Sequence, residues 1–228
     1  MSALLLTAFG LHANHPRASR AAAATATATA GPPSALVPIT EGSEELEATA
    51  IVNVLRRAGW SVTLASVGVA DGAPVLCARG QRLLADSTIE EAKLVSFDVV
   101  AIPGGMPGAE RLGEDASVIA CLRKQREAGN WYGAICAAPA VALAPSGLLP
   151  PQATCHPAFE STLAEAGVSA ADLSMRVVVD DEWRCVTSRG PGTAIDFALK
   201  LVEVVEGPEA AAAVGAPMVL PRNAAALL

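Results

Sequence analysis

Short apolar runs alternate along the chain with segments in which apolar residues recur every three or four positions. ALVPI (35–39), SVTLASV (61–67), FDVVAI (97–102) and WYGAI (131–135) have the length and apolar character of buried strands. Pro38 removes one ladder donor, so the first strand is expected to be short or irregular there. Helices are predicted over 44–57, over 115–128 with Gly129 closing it, directly after Cys136, over 157–166 and over 192–206. The segment 75–84 reads as a small hairpin, and 174–179 with 184–187 as a second hairpin around an acidic turn. Ser87 and Glu90 have capping-box spacing ahead of a short helix. Strands that alternate with helices predict a mostly parallel sheet covered on both faces, an α/β sandwich forming one domain over 35–220. PRNAAALL (221–228) reads as a loose tail.

Composition alters this picture at the N-terminal end. Residues 1–34 contain no Asp or Glu, carry Arg17 and Arg20, and include the tract AAAATATATA. That is the composition of an organelle transit peptide, with a plastid the expected destination and a mitochondrion the alternative. The other reading is a disordered Ala-rich leader without an address, which leaves the chain cytoplasmic. Of the 228 residues, 52% are hydrophobic, enough for one sizeable core. A formal charge of −7 and only 4% aromatics argue against nucleic-acid binding. Residues 129–159 hold no Asp, Glu, Lys or Arg, but Pro139, Pro145, Gly147, Pro150 and Pro151 break the stretch. Buried core is therefore expected there, and no membrane span.

Cys77, Cys121, Cys136, Cys155 and Cys185 are scattered, odd in number and free of any CxxC pair. No zinc site, other metal site or thioredoxin-type couple is expected, and free thiols in a reducing compartment fit best. His12 and His15 lie in the leader, so His156 is the one histidine available to the domain.

Cys136 ends an apolar run where a helix is predicted to begin. In open α/β sheets ligands bind beyond the carboxyl ends of the strands. A helix N-terminus favours an anion, so the thiol pKa is expected to fall from about 8.5 into the range of roughly 3.5 to 7.5. The other four cysteines are read as packing residues. Glu47 falls on the same helical stripe as Leu46, Ala50, Ile51, Val54 and Leu55, which are expected to face inward. A carboxyl group there is desolvated and its pKa should rise. The plainer reading is that Glu47 complements the helix N-terminus, a task Glu44 and Glu45 already perform from nearer the end. Gly104 and Gly105 in IPGG let backbone N–H groups approach a ligand as oxyanion donors, although many strand ends carry Gly-Gly merely to turn. TCHP (154–157) brings in His156, for which a structural role and a chemical one are equally open.

ALVPITEGSEELEA, FDVVAIPGG, AICAAP, TCHP and TSRGPGT occur here in the order seen in the ThiJ/PfpI superfamily. Taken together, they most resemble its branch containing the Parkinsonism-associated protein deglycase, over about 35–220. The resemblance implies a flavodoxin-like three-layer α/β sandwich, a homodimer and no cofactor. It matches Cys136 to the family's elbow cysteine, Glu47 to the acid beside the sulfur and His156 to the nearby histidine. Gly104, Gly105 and Ala137 match the substrate-side oxyanion segment, and Pro191 a proline lining the pocket.

The activity implied is that of a glutathione-independent glyoxalase. Such an enzyme converts the small dicarbonyls methylglyoxal and glyoxal to lactate and glycolate through a cysteine hemithioacetal. Deglycation of protein or nucleotide adducts accompanies it in the family. An oxidative-stress-responsive redox sensor and chaperone using the same cysteine is the alternative. Four departures matter. Ala138 stands where the family often has Gly, and Leu84 where one branch has a peripheral cysteine. Ala137 replaces the histidine of the protease-like branch. Ala158 replaces the carboxylate with which amidotransferase relatives orient their histidine.

Overall fold

The computed structural model describes residues 31–220. The leader expected over 1–34, apart from its last four residues, and the tail over 221–228 lie outside them. The chain runs β1 (Ser34–Ile39), α1 (Glu45–Arg57), β2 (Ser61–Ser66), β3 (Val75–Leu76), β4 (Arg82–Leu83), β5 (Ser87–Thr88) and α2 (Ile89–Ala92). It continues through β6 (Val99–Ile102), α3 (Gly108–Glu114), α4 (Ala116–Ala128) and β7 (Trp131–Ile135). A π-helical turn, Pro139–Leu143, and a 3-10 turn, Pro157–Phe159, precede α5 (Glu160–Glu165), α6 (Ala170–Ser174), β8 (Val177–Asp180) and β9 (Cys185–Ser188). A second 3-10 turn, Pro191–Thr193, leads into α7 (Ala194–Glu206), which is followed by α8 (Pro208–Gly215).

Seven strands form one sheet in the order β5-β2-β1-β6-β7-β9-β8, and β3 pairs with β4 as a separate hairpin. All neighbours in the large sheet are parallel except β8 and β9. The central order β2-β1-β6-β7-β9 is the 2-1-3-4-5 winding of flavodoxin-like folds, whose chain reverses direction across the sheet between the first and third strands. Here that switch point lies between β1 and β6. The alternate residues of each strand divide between two cores. Val37, Ile39, Val99 and Ala101 pack with Ile51 and Leu55 of α1 and Phe197 and Leu201 of α7. Leu36, Val100 and Ile102 pack on the other face with Leu112 of α3 and Leu122 of α4. Both faces are apolar because both are covered, which is why the strands read as continuous runs.

Pro38 leaves β1 intact over six residues. Pairing to β2 continues to Ile39, whereas pairing to β6 ends at Leu36. The capping box lies one residue later than the sequence spacing indicated. Thr88 accepts from Glu91 N–H and Glu91 reaches back, because Ser87 is extended as an edge strand beside Ala65. The helix at 115–128 begins at Ala116 with Asp115 as its cap, and Gly129 closes it in the left-handed conformation. The short α3, α6 and α8 were not indicated by the periodicity.

Candidate active site

The loops after β1, β6, β7 and β9 and the TCHP segment meet at the carboxyl edge of the sheet near the switch point. Glu44 follows β1 and caps α1, its Oε2 accepting Glu47 N–H at 2.7 Å. This cap starts the helix so that Glu47, Ala48, Ile51, Val54 and Leu55 face inward. Leu46 does not belong to that arc. It is 55% exposed, one position and about 100° round the helix from Glu47. Glu47 is wholly buried. Its Oε2 accepts the Gly104 N–H at 2.8 Å, and its Oε1 has no hydrogen-bond partner.

Cys136 follows β7 with φ of 67°, in the left-handed region that costs a non-glycine residue about 1–2 kcal/mol. Its own backbone is pinned on both sides: its N–H donates to Ser188 O at 3.0 Å and its O accepts His156 N–H at 2.8 Å. Two hydrogen bonds from β9 and from the TCHP segment therefore hold an elbow that would otherwise relax. Gly104 makes the close approach possible. A Cβ there would lie 2.5 Å from Cys136 Cβ and 3.0 Å from both Cys136 Sγ and Glu47 Oε2. Gly105, with φ of 87°, packs its α-carbon against the backbone at Glu44.

The electrostatics correct one expectation. The helix after Cys136 is a π-wound turn, Pro139–Leu143, closed by Ala144 N–H to Pro139 O. Its field does not dominate. Burial first, then the charge on Glu47, pushes the Cys136 thiol up to about 12, against the N–H groups of Gly105 and Ala137, which point toward the sulfur. Burial also raises the Glu47 carboxyl to about 7, opposed by the Gly104 N–H and by Cys136 and assisted by the charge of Glu44. Two adjacent anions are disfavoured in a site shielded from water, so the pair carries at most one negative charge and the carboxyl group ionises first. Burial thus accounts for the expected rise at Glu47 and opposes the expected fall at Cys136.

His156 is half-buried, and its Nδ1 accepts the N–H of Ala158 at 3.2 Å. That bond caps the 3-10 turn and leaves the proton of the neutral ring on Nε2. Ala158, where a carboxylate would orient the ring in amidotransferase relatives, does so here through its backbone. Gly190 joins the three groups: a Cβ on it would lie 3.5 Å from His156 Cδ2 and 4.0 Å from both Cys136 Sγ and Glu47 Oε1.

A cavity of about 300 Å³ opens on Cys136, with Gly105, Ala137, His156 and Pro191 among its walls. Cys136 as a whole residue is 9% exposed. All the residues picked from the sequence therefore converge on one place. Gly104 contributes differently from expectation, since its N–H is committed to Glu47, leaving Gly105 and Ala137 as the donors near the sulfur. Glu44, Arg79, Met106 and Phe159 also line the cavity, brought there by loops that no linear spacing connects. The other four cysteines are free; Cys77, Cys155 and Cys185 are buried, and Cys121 is partly exposed. Among the described residues no three His, Cys, Asp or Glu side chains converge as a metal site, and no helix is long and apolar enough to cross a membrane.

The model of the DJ-1/PfpI family matches residues 33–204. Two relatives from Arabidopsis thaliana, Protein DJ-1 homolog B and homolog A, are each 42% identical over 78% and 80% of this chain. The chain spans only 39% and 45% of their respective lengths. The glutathione-independent glyoxalase DJR-1.2 of Caenorhabditis elegans is 40% identical over 74% of this chain and 86% of its own. Among solved structures, oxidized Toxoplasma gondii DJ-1 superposes with a TM-score of 0.73 at 40% identity, covering 82% of this chain and 97% of that one.

Proposed function

The chain belongs to the DJ-1/PfpI family, and on that premise we propose that it is a glutathione-independent glyoxalase acting on methylglyoxal and glyoxal. The observation that carries the reading is the buried Glu47–Cys136 pair at the elbow, with backbone N–H groups around the sulfur. The name of one relative, the nematode glutathione-independent glyoxalase DJR-1.2, 40% identical to this chain, supports it.

The chemistry follows from the pair. Glu47, with a pKa near the working pH, takes the Cys136 proton as sulfur attacks the aldehyde carbon. The N–H groups of Gly105 and Ala137 and the Nε2–H of His156 stabilise the resulting oxygen anion. After the protonated carboxyl group returns its proton to that oxygen, Glu47 removes the hydrogen of the former aldehyde carbon. The enediol then receives a proton on the neighbouring carbon. That carbon is reduced to a carbinol while the first becomes a thioester. Water releases lactate and restores the thiol, so methylglyoxal plus water gives lactic acid with no external oxidant. No cofactor enters any step. Lactate formed from methylglyoxal without glutathione, abolished in Cys136→Ala, is the expected result; turnover surviving in a folded Cys136→Ala variant would reject the assignment.

Glycation adducts release free methylglyoxal reversibly, so deglycation by this site is proposed as a consequence of glyoxalase action. Repair of a glycated peptide should then stop once the free aldehyde is scavenged.

A second reading, a redox sensor with chaperone behaviour, is favoured by the same N–H groups, which would hold a sulfinate. Two equivalents of peroxide each deliver one oxygen to sulfur and leave as water. Mass spectrometry at low peroxide, showing oxidation confined to Cys136 without dicarbonyl turnover, would favour it over the enzyme.

Self-association as a homodimer is also proposed. A groove of about 650 Å³ beside α1 and α7 exposes Leu46 and Ile195 and shares Glu44, Arg79 and Pro191 with the cavity. Sedimentation of Leu46→Asp as a monomer beside a dimeric parent would support it. Plastid import through the acid-free leader is proposed too; a fluorescent fusion to residues 1–34 that stays in the cytosol would refute it.

A further inference from the structure

Methylglyoxal is a three-carbon molecule, whereas the cavity at Cys136 measures about 300 Å³. A water molecule occupies roughly 30 Å³ of liquid, so the space is about ten waters' worth. It matches the lower end of pockets that enclose drug-sized ligands. The dicarbonyl core fills only part of it, and the walls around the remainder determine what else is welcome.

Those walls include two large apolar side chains, Met106 and Phe159. Met106 directly follows Gly105, whose N–H points toward the sulfur, and is 41% exposed. Phe159 is three residues beyond His156 in the 3-10 turn that His156 caps. The turn brings the Phe159 ring back beside that of His156. Their centroids are 6.3 Å apart in an edge-to-face arrangement. The turn that orients Nε2 therefore also erects an aromatic wall beside it. Ala158 and Pro191 extend the apolar lining, and Glu44 and Arg79 add charged groups to the rest of the wall.

We infer that this site prefers 2-oxoaldehydes bearing an apolar substituent, aryl or branched alkyl, on the keto carbon over unsubstituted glyoxal, with Met106 and Phe159 determining that specificity. The inference rests on the glyoxalase reading and extends its substrate class. The aldehyde carbon, bound to Cys136, is the same in every member of the class. The substituent on the neighbouring carbon is the part that varies, and Met106 and Phe159 are the large apolar side chains lining the space it would occupy. For phenylglyoxal the products balance as before: with water it gives mandelate, the aldehyde carbon oxidised and the ketone carbon reduced.

The test measures kcat/KM of the full chain for glyoxal, methylglyoxal and phenylglyoxal, with mandelate identified as product. The parent should favour phenylglyoxal over glyoxal. In Met106→Ala and in Phe159→Ala the phenylglyoxal-to-glyoxal ratio should fall about tenfold, the lower end of what one lost apolar pocket contact is worth. Phe159→Leu should recover part of it. The ratio cancels any loss of folded protein, and the exposed position of Met106 keeps the test open should Phe159→Ala fold poorly. A parent that prefers glyoxal, or a ratio unchanged in both alanine variants, overturns the inference while leaving the glyoxalase reading standing. Absence of turnover of all three aldehydes by the folded parent overturns both.

Discussion

Cys136 and Glu47 meet at Gly104, where an added methyl carbon would stand 3.0 Å from the Cys136 sulfur and 3.0 Å from Glu47 Oε2. The same hypothetical carbon would be 2.5 Å from Cys136 Cβ, closer than packing allows. Gly104→Ala must therefore push the elbow or the acid aside. Overpacking of this kind costs about 1–3 kcal/mol. A displacement of about 1 Å among reacting groups costs about 100-fold in rate. Chemical denaturation and methylglyoxal kinetics on the variant check both numbers; parental activity would mean that the two groups need not touch.

The pH dependence of turnover should follow the acid. If Glu47 accepts the thiol proton, kcat/KM rises with pH and levels off above about 7, where its carboxyl group has ionised. Glu47→Gln should abolish that limb and lower the rate by about 100-fold or more. A rising limb that persists unchanged in Glu47→Gln would assign the titration to another group.

Stability should show the opposite trend. Burial raises Glu47 from 4.5 to about 7, so the unfolded chain loses this proton at lower pH than the folded one. Folding is therefore favoured most below about 4.5, weakens as pH rises through the interval, and is constant above about 7 as far as this group is concerned. The contribution lost is about 3 kcal/mol. Glu47→Gln keeps an acceptor for the Gly104 N–H and has no proton to lose. Its stability relative to the parent should improve from pH 5 to pH 8, read from urea midpoints at each pH. Parallel midpoints for the two proteins would show that the acid is not desolvated in solution.

His156 should appear in nitrogen-15 spectra as the Nε2–H tautomer at neutral pH, since the Ala158 N–H occupies Nδ1. As a donor to the developing oxygen anion, it should be partly replaceable. His156→Gln is expected to retain roughly tenfold more activity than His156→Ala, which should lose about 100-fold. Equal losses in both, or an Nδ1–H signal, would argue for a different role.

How far this site is legible from sequence depends on the kind of information each residue carries. Glu47 could be placed because it sits four residues before Ile51 and eight before Leu55, both buried. Leu46 was misplaced because apolar character alone does not separate the core-facing arc from the adjoining groove that α1 forms beside α7. The central strands β1, β6 and β7 were legible since each is apolar on both sides. The helix α3 was not, because GAERLGE is a single short piece between glycines whose buried face, Ala109 and Leu112, is too brief to show a period. Cys136 could be found from its place at a strand end, but its acidity could not be read there. That property depends on how deeply the sulfur is buried and on the charge of Glu47 beside it. Met106 and Phe159 lie 53 residues apart in sequence and share the cavity only because β6 and the TCHP segment end at the same edge.

The left-handed backbone at Cys136 sets folding and chemistry at odds at a single position. Glycine would satisfy the chain there at less cost, yet glycine brings no sulfur. Replacing the residue by glycine would relieve the backbone and remove the reagent in one step, so at this position ease of folding and reactivity exclude one another.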